Sequence, residues 1–337
     1  MFKNILLVFN PKSSSAMASD QWLGKVVNSL SSEVSGYIVT KTVLNPFDYQ
    51  SIFVDLSLEI DLVIAAGGDG TIRKVIEDTY NTFPQMPIGL LPLGTGNQLA
   101  RNLGVFEDNL LCNPLEESIK NLITGKPKKI DLGLMNGRIF AVASGVGPLS
   151  DAILLPEAND KAVWKMLAYV SSMISNLAVT PIPFRVTIDD VESFCVTASG
   201  IFVSNVGDLG MGMLSPTASI EDGLLDVCIL TPNDFIDYLD LGFHFTSGFV
   251  GSNAPYYAKK ATKVLIEVEK QGGKDTIFSG AKTKIKKFFH LENNSESMAL
   301  SQVICMIDGD GLGVTPMEVS ILPKAVSIIC PAEKVNL

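Results

Sequence analysis

The sequence predicts an α/β domain followed by a β-rich domain. Three observations predict it. Strand-like apolar runs alternate with helical stripes in the first third, two glycine-rich segments each follow such a run, and most of the remainder alternates in β fashion. The 337 residues are enough for two domains, and a composition of 47% hydrophobic and 18% charged residues is typical of a globular protein.

The first domain is predicted over residues 1–131. Its strand candidates are the apolar or β-branched runs at 4–9, 36–43, 61–66 and 87–93. Helical stripes follow two of them: Leu23, Val26, Val27 and Leu30, then Ile72, Val75, Ile76 and Tyr80. Strands that alternate with helices predict a parallel sheet covered by helices, in which ligands gather at the carboxyl ends of the strands.

The second domain is predicted over residues 132–319. Its strand candidates are FRVTID, VTASGIFVSNV, LLDVCIL, KVLIEVE, VICMID and MEVSILP, which favour antiparallel β-structure. One long helix is predicted at about 156–177. The polar, charged stretch 269–302 is an excursion between two strands without a structural assignment.

Composition excludes several classes of function. The net charge of −10 argues against a general nucleic-acid binder, which needs a broad basic face. No apolar run approaches the length of a membrane-spanning helix, and the apolar stretch 5–9 is too short for a signal peptide. The five cysteines are scattered and neither His244 nor His290 lies near a cysteine pair, so reduced thiols in a cytosolic protein are expected and a zinc site is not.

Two glycine-rich loops are the candidate site. The first is GGDGT at 67–71, and the second is GTGN at 94–97. Glycines let the backbone approach a ligand closely, and a helix N-terminus after such a loop attracts phosphate. Asp69 would repel phosphate unless a divalent cation lies between them or the carboxylate acts as a base. The open alternative is that each loop is only a tight strand-to-helix turn with a polar cap.

The ordered motifs resemble the diacylglycerol kinase catalytic-domain family, which includes the sphingosine kinases. After GGDGT come PLGTGNQLAR at 92–101, ASGVG at 143–147, and SN at 204–205 with GMGM at 210–213 and SPTA at 215–218. EDGLLD at 221–226 and IDGD at 307–310 follow. The similarity spans nearly the whole chain, and GGDGT alone is shared with NAD kinases.

The resemblance implies a phosphofructokinase- or NAD-kinase-like α/β domain and a β-sandwich-like domain, with the active site in the cleft between them. The C-terminal segment, about 320–337, is implied to return to the first domain. The implied reaction transfers the γ-phosphoryl group of ATP, with Mg²⁺, to a lipid hydroxyl, diacylglycerol being the default acceptor.

The resemblance also assigns roles to residues. Asp69 engages the nucleotide Mg²⁺ or the reacting groups, Asp310 stands where the family carries its general base, and Asp222 falls in a loop where bacterial members hold a structural Mg²⁺. The residues that the resemblance assigns to the nucleotide are Asn10, Gly67, Gly68, Gly70, Thr71, Gly94, Thr95, Gly96 and Asn97.

Three positions depart from the family pattern. Gln98 replaces an acidic residue in the second loop, and an amide is a weak partner for Mg²⁺. The NPxSG motif has lost its glycine at Ser14, and Ser15 follows where bacterial relatives often have lysine. Asp310 replaces glutamate, which shortens the side chain by one methylene. These three differences are expected to affect catalytic activity more than nucleotide binding.

Turn readings stay open for two of the acidic residues. Asp310 also suits a hairpin between VICMI and MEVSIL, and Asp222 suits the rim of a turn. The lysine- and aromatic-rich stretch KTKIKKFF at 282–289 is more typical of a solvated loop than of a membrane contact.

Three functions are therefore carried forward. The first is an ATP- and Mg²⁺-dependent lipid kinase in the cytoplasm, with peripheral contact to the membrane that holds its substrate. The second is a small-molecule kinase of the NAD type, and the third is a non-catalytic relative that binds nucleotide or lipid. Pairing of two copies through an exposed strand edge stays open.

Overall fold

The computed structural model describes residues 2–11, 21–45, 50–106, 113–153, 181–210, 212–248, 254–269 and 302–332. The chain divides into two compact units. The first comprises Met1–Val142, Ser219–Leu224 and Ile321–Leu337, and the second comprises Ala143–Ala218 and Leu225–Ser320. The predicted helix at 156–177 and nearly all of the excursion at 269–302 lie outside the described residues.

The first unit has a parallel sheet in the order β2-β1-β3-β4. The end of the last strand, β16 (Met317–Cys330), pairs with β4 in parallel, with Ser327 opposite Pro87. The bounds are β1 Ile5–Phe9, α1 Gln21–Leu30, β2 Ile38–Thr42, β3 Leu62–Gly67, α2 Asp69–Thr82, β4 Pro87–Pro92, α3 Gln98–Asn102, α4 Pro114–Thr124, β5 Lys126–Met135 and β6 Arg138–Phe140.

Apolar residues on one side of this sheet pack against helices α1 and α4. The strands are buried on both faces, which explains their continuous apolar runs. Asn113 caps α4 by accepting a hydrogen bond from the backbone N–H of Leu115, and Pro114 fits the first helical position. The core comprises Ile5, Leu7, Trp22, Val26, Leu30, Leu62, Ile64, Ala66, Leu91, Leu115, Ile119, Leu122 and Ile329.

The second unit consists mainly of antiparallel β-structure. One sheet has the order β12-β11-β10-β7-β14-β15, and the other joins β9, β8 and β13 to the beginning of β16. The bounds are β7 Ala143–Val146, α5 Pro148–Ile153, β8 Ile182–Ile188, β9 Glu192–Ala198, β10 Gly200–Ser204, β11 Leu225–Leu230, α6 Phe235–Ser247, β12 Tyr256–Ala261, β13 Lys263–Val268, β14 Ile304–Ile307, β15 Asp310–Val314 and β16 Met317–Cys330.

Side chains of the two sheets meet within this second unit. The rings of Phe194 on β9 and Tyr257 on β12 pack edge to face with centroids 6.2 Å apart, and Glu192 pairs with Lys259 on the same two strands. The predicted fold class, an α/β domain followed by a sandwich-like β domain, is confirmed.

Several element boundaries differ from the sequence prediction. Helix α2 begins at Asp69, within the first glycine loop rather than after it: extended Gly68 is its N-cap, and the Gly68 carbonyl accepts hydrogen bonds from Thr71 and Ile72. The run VTASGIFVSNV is divided between β9 and β10, which belong to different sheets. MEVSILP is only the first half of the 14-residue strand β16. No described helix has the length and apolar character needed to cross a membrane.

Candidate nucleotide site

The predicted nucleotide-binding residues of the first unit lie at one edge of its sheet. Phe9 is level with Ala66, and Ala66 with Leu91, in neighbouring parallel strands. The segments that begin at Asn10, Gly68 and Leu93 therefore leave the sheet at the same edge. The backbone N–H of Leu93 donates to the Gly67 carbonyl at 2.9 Å, which keeps the two loops adjacent beyond the ends of their strands.

The first loop is a tight passage from β3 into α2. A Cβ atom on Gly67 would lie 2.7 Å from the Thr71 hydroxyl oxygen, so the absence of a side chain at Gly67 makes room for the buried Thr71. Gly68 makes no side-chain cap, and Gly70 is the second residue of the helix. The N-terminus of α2 therefore presents backbone N–H groups and its positive dipole end without a side-chain cap from its N-cap residue.

The second loop is closed by its own asparagine. Asn97 adopts the left-handed conformation, with φ of 51°. Its side-chain oxygen accepts the Gly94 N–H at 3.0 Å, and its side-chain nitrogen donates to the Gly94 carbonyl at 2.7 Å. The Nε of Arg101 donates to the Gly96 carbonyl at 2.9 Å. Thr95 is the exposed residue at the tip of this fixed loop.

The two loops touch each other through their glycines. A Cβ on Gly94 would lie 2.5 Å from the Cα of Gly68, and a Cβ on Gly96 would lie 2.5 Å from Oδ2 of Asp69. Oδ1 of Asp69 accepts the backbone N–H of Gln98 at 2.7 Å. Gly94 and Gly96 are therefore needed for contact between the loops, in addition to any approach of a ligand.

Asp69 is a carboxylate held at the start of helix α3. Burial raises the pKa of the Asp69 carboxyl, while backbone N–H groups, that of Gln98 first and then those of Asn97, Asp69 and Leu99, act in the opposite direction. The side-chain to backbone hydrogen bonds of Asn97 and Asp69 are those expected of tight turns. The loops also hold a poorly solvated carboxylate where two glycine loops and the N-terminus of α2 converge.

The donor set suits Mg²⁺ that arrives with a nucleotide. Mg²⁺ is commonly held by one or two carboxylates together with substrate phosphates, and Asp69 supplies one such carboxylate. The described residues contain no group of three or more His, Cys, Asp or Glu side chains arranged to hold a metal by themselves. Asp69 would therefore supply one ligand to a Mg²⁺ ion whose coordination the nucleotide phosphates complete.

Asp310 begins strand β15 in the second unit. Asp308 and Gly309 both have positive φ, 47° and 86°, and form the two-residue turn between β14 and β15. Oδ1 of Asp308 accepts the backbone N–H of Ala143 at 3.0 Å, which anchors the turn to β7. A hairpin turn is thus present at Asp308 and Gly309, but the predicted strand partner is wrong, because β14 pairs with β15 whereas MEVSIL, in β16, pairs with β13. The partly buried Asp310 lies one residue beyond the turn.

Asp222 is exposed on the rim of a turn in the first unit. Its Oδ1 accepts the backbone N–H of Leu224 at 3.1 Å, as the turn reading expects. A second carboxylate, that of Asp131, binds the same turn. Asp131 is fully buried and accepts the backbone N–H groups of Gly223 at 2.7 Å and Lys324 at 2.6 Å. The structural Mg²⁺ expected at Asp222 stays a prediction.

Sequence reasoning missed three charged side chains. Arg73 lies four residues after Asp69 on α2 and is 1% exposed, Arg101 fixes the second loop, and Asp131 ties distant segments together. For Arg73 and Asp131 the sequence contains one indication of burial, which is a charged residue within an apolar stretch. Ser15 and the stretch 282–289 lie outside the described residues.

Two family models match the chain. The model of the diacylglycerol kinase catalytic domain matches residues 4–135, and that of the YegS C-terminal NAD kinase beta sandwich-like domain matches residues 141–273. The chain is 26% identical to the diacylglycerol kinase of Bacillus subtilis (strain 168) over 283 residues, covering 82% of this chain and 80% of that one.

Two further relatives extend the comparison. A protein of Pseudomonas aeruginosa (strain UCBPP-PA14) named "Probable lipid kinase YegS-like" is 30% identical over 215 residues, covering 60% of this chain and 67% of that one. The crystal structure of a diacylglycerol kinase from Bacillus anthracis str. Sterne has a TM-score of 0.68 at 19% identity, with 99% of each chain covered. The structural likeness supports the fold.

Proposed function

The chain belongs to the diacylglycerol kinase catalytic-domain family of lipid kinases, and from this premise we propose that it transfers the γ-phosphoryl group of ATP to the hydroxyl group of diacylglycerol. One observation supports the nucleotide half of this proposal above the others. The carboxylate of Asp69 is held at the contact of two glycine-rich loops, beside the N-terminus of α2.

The loops would bind the phosphate chain of the nucleotide. Gly67, Gly68 and Gly70 keep side chains away from the N-terminus of α2, where N–H groups and the helix dipole favour phosphate. Thr71 is packed inside the turn and positions the loop. Thr95 lies at the exposed tip of the second loop, where its hydroxyl group can reach a ligand.

Asp69 would hold the nucleotide Mg²⁺, which neutralises phosphate charge when bound. Its Oδ1 is fixed by the Gln98 N–H, so the carboxylate is oriented before the nucleotide arrives. An oriented group in a poorly solvated position loses little entropy on binding and interacts strongly with a cation. Asp310 would accept the proton of the lipid hydroxyl as that oxygen attacks the γ-phosphorus, and the bond from the γ-phosphorus to the β–γ bridging oxygen would break to release ADP.

A non-catalytic nucleotide-binding relative is the second candidate. It is favoured by Gln98, whose backbone N–H binds Asp69 and whose side chain is an amide where the family usually carries a second acidic residue. A protein of this kind would keep the loop architecture and bind nucleotide without turnover. The two candidates therefore differ in phosphoryl transfer and not in nucleotide affinity.

The test is phosphoryl transfer from γ-labelled ATP with Mg²⁺ to diacylglycerol, sphingosine or ceramide in mixed micelles, and to NAD in solution. We expect labelled diacylglycerol with the wild type and a loss of at least about 100-fold with Asp69→Asn. Asp61→Asn is the matched control, because Asp61 also accepts backbone N–H groups, those of Lys3 and Asn4, at 2.6 and 3.0 Å.

Each outcome separates the candidates. Label on sphingosine or ceramide alone keeps the lipid kinase and changes the acceptor, whereas label on NAD alone overturns the lipid reading. ATP binding without transfer to any acceptor favours the non-catalytic candidate. Full activity of Asp69→Asn would show that the assignment of Asp69 is wrong.

A further inference from the structure

The exposed side of helix α6, in the second unit, carries large apolar residues. Ile236 is 66% exposed, Leu239 is 43% exposed and Phe243 is 62% exposed. Their spacing of three and four residues places them in one stripe along the helix. The opposite side of α6 already supplies the core through Leu241, His244 and Phe245, so the helix is apolar on both sides.

The exposed side of α6 has few polar groups that can form hydrogen bonds with water. Besides the apolar stripe, it contains Asp240, Thr246 and Ser247. The Thr246 hydroxyl donates to the Gly242 carbonyl at 3.0 Å, and that of Ser247 donates to the Phe243 carbonyl at 2.7 Å. Asp240 is the one fully exposed charged residue within the described helix, Asp237 in its first turn is partly exposed, and α6 contains no lysine or arginine.

We propose that the Ile236–Leu239–Phe243 stripe of α6 inserts into the surface of a neutral lipid bilayer and so brings the enzyme to its lipid substrate. This inference rests on the proposed function for its physiological meaning. An exposed apolar patch on a globular protein marks an interaction site, and an apolar helix face lying in the interface is a common way for a peripheral protein to bind lipid.

One observation favours a bilayer over another protein, and a second favours neutral over anionic lipid. The three side chains expose on the order of 300 Å², whereas a stable protein dimer buries about 800 Å² on each partner. An insertion of single side chains into the acyl region needs no such area. The protein has a net charge of −10, which disfavours attraction to anionic lipids, so binding must come from apolar burial.

Flotation with phosphatidylcholine vesicles tests the inference directly. The variant is the double substitution Ile236→Ser with Phe243→Ser, and the matched control is Val191→Ser, which removes an apolar side chain that is 89% exposed on the β8–β9 turn. We expect the vesicle partition coefficient to fall at least about ten-fold in the double variant and to stay at the wild-type value in the control. Because apolar burial is not screened, raising NaCl to about 0.5 M should not release the wild type.

Several results would overturn the proposal. These are a wild type that does not bind phosphatidylcholine, a double variant that partitions like the wild type, and binding that needs anionic phosphatidylglycerol and disappears in salt. A shift from dimer to monomer on making the double variant, seen by sedimentation, would instead assign the stripe to a second copy of this chain. Thermal unfolding checks that the variants are folded.

Turnover separates this inference from the proposed function. With a water-soluble short-chain diacylglycerol the double variant should match the wild type, and with long-chain diacylglycerol in vesicles its kcat/KM should fall by about the factor lost in partition. Equal losses on both substrates would show a damaged enzyme rather than a lost membrane contact, and would overturn the proposal. If the wild type phosphorylates neither substrate, the proposed function fails, while the flotation result still decides whether the stripe binds lipid.

Discussion

The side chain of Asp69 accepts a hydrogen bond from the backbone N–H of Gln98, with 2.7 Å between Oδ1 and the nitrogen. This bond joins two loops that are separated by a strand and part of a helix in the chain. A Cβ on Gly96 would collide with the other carboxylate oxygen, so the same side chain is confined from both sides. Confinement of this kind explains both the orientation of the carboxylate and the composition of the second loop.

The stability of the protein should carry a pH signature of Asp69. Burial raises the pKa of its carboxyl above the ordinary value of 3.8, so between that value and the folded pKa the folded state binds more protons than the unfolded state. The contribution of Asp69 to the unfolding free energy therefore falls as pH rises through this window.

Asp69→Asn removes that contribution. The Tm of the variant minus the Tm of the wild type should increase as the pH rises from the ordinary carboxyl pKa of 3.8 through the raised folded-state pKa, and should then level off. Thermal unfolding at several pH values measures it. A difference that shrinks with rising pH would mean that the carboxylate is stabilised in its charged form by the fold.

Gly94→Ala should separate the two loops. Its new Cβ would meet the backbone of Gly68 at 2.5 Å, and a backbone atom cannot move aside as a flexible side chain does. We expect a destabilisation of about 1–3 kcal/mol and a rise of at least about ten-fold in the Kd for ATP, measured by denaturation and calorimetry.

Gly24→Ala is the matched control for this change. Gly24 lies within helix α1, and a Cβ at that position would meet nothing within 4 Å among the described residues outside the helix's own backbone. Alanine should therefore stabilise the protein by about 0.5–1 kcal/mol and leave the Kd unchanged. Unaltered ATP affinity in Gly94→Ala would show that the loop contact is not needed for nucleotide binding.

Asp131→Asn should be the most destabilising of these substitutions. The buried carboxylate accepts two backbone N–H groups, at 2.7 and 2.6 Å, from Gly223 and Lys324. An amide can satisfy one of them and presents a donor to the other, so a loss of about 2–4 kcal/mol is expected in urea unfolding.

Asp234→Asn provides the comparison for Asp131. Asp234 also accepts two backbone N–H groups, at the exposed N-cap of α6, and asparagine is an equally good cap. Its unfolding free energy should change by less than about 0.5 kcal/mol. Similar losses at both positions would argue against a special role for the buried carboxylate.

Asp310 is expected to act on kcat rather than on nucleotide binding. Asp310→Asn should lower kcat at least about 100-fold with the Kd for ATP unchanged, because an amide cannot accept the proton of the lipid hydroxyl. Asp310→Glu should retain activity, since it keeps the carboxylate at the position of the family's acidic residue. Steady-state kinetics with pH profiles measure both variants.

Asp190→Asn is a neutral control for that series. Asp190 lies in the exposed β8–β9 turn with φ of 56°, a conformation that asparagine tolerates. If Asp310→Asn turns over like this control, the proton is accepted elsewhere and Asp310 serves only the β14–β15 hairpin.

Prediction from the sequence succeeds where a feature is local. The runs that become β1, β3 and β4 are apolar over several consecutive residues, and asparagine or glycine follows each within two residues, so apolar runs and turn residues are enough to predict them. The helix stripe from Gln21 to Leu30 is read from spacing in the same way. The order and spacing of the motifs also identify the family, because proteins with the same fold keep these motifs in the same order.

Prediction fails where one continuous segment pairs with strands of different sheets or at different ends. The run from Val196 to Val206 reads as one strand, although Ser199 divides it between two sheets. Strand β16 reads as two short terminal strands, although it pairs with β13 at one end and with β4 at the other. Strand pairing is a long-range choice that local composition does not encode.

The amino-acid sequence by itself determined the alternation of strands and helices, the two glycine loops and the family to which the chain belongs, because each of these is recorded in residues close together in the chain. Only the tertiary structure decided that Gly94 and Gly96 make room for Gly68 and Asp69, that Asp131 is buried, and that α6 shows an apolar stripe to solvent. Those properties depend on which distant atoms share a volume, and desolvation and steric exclusion arise only once the chain has brought them together.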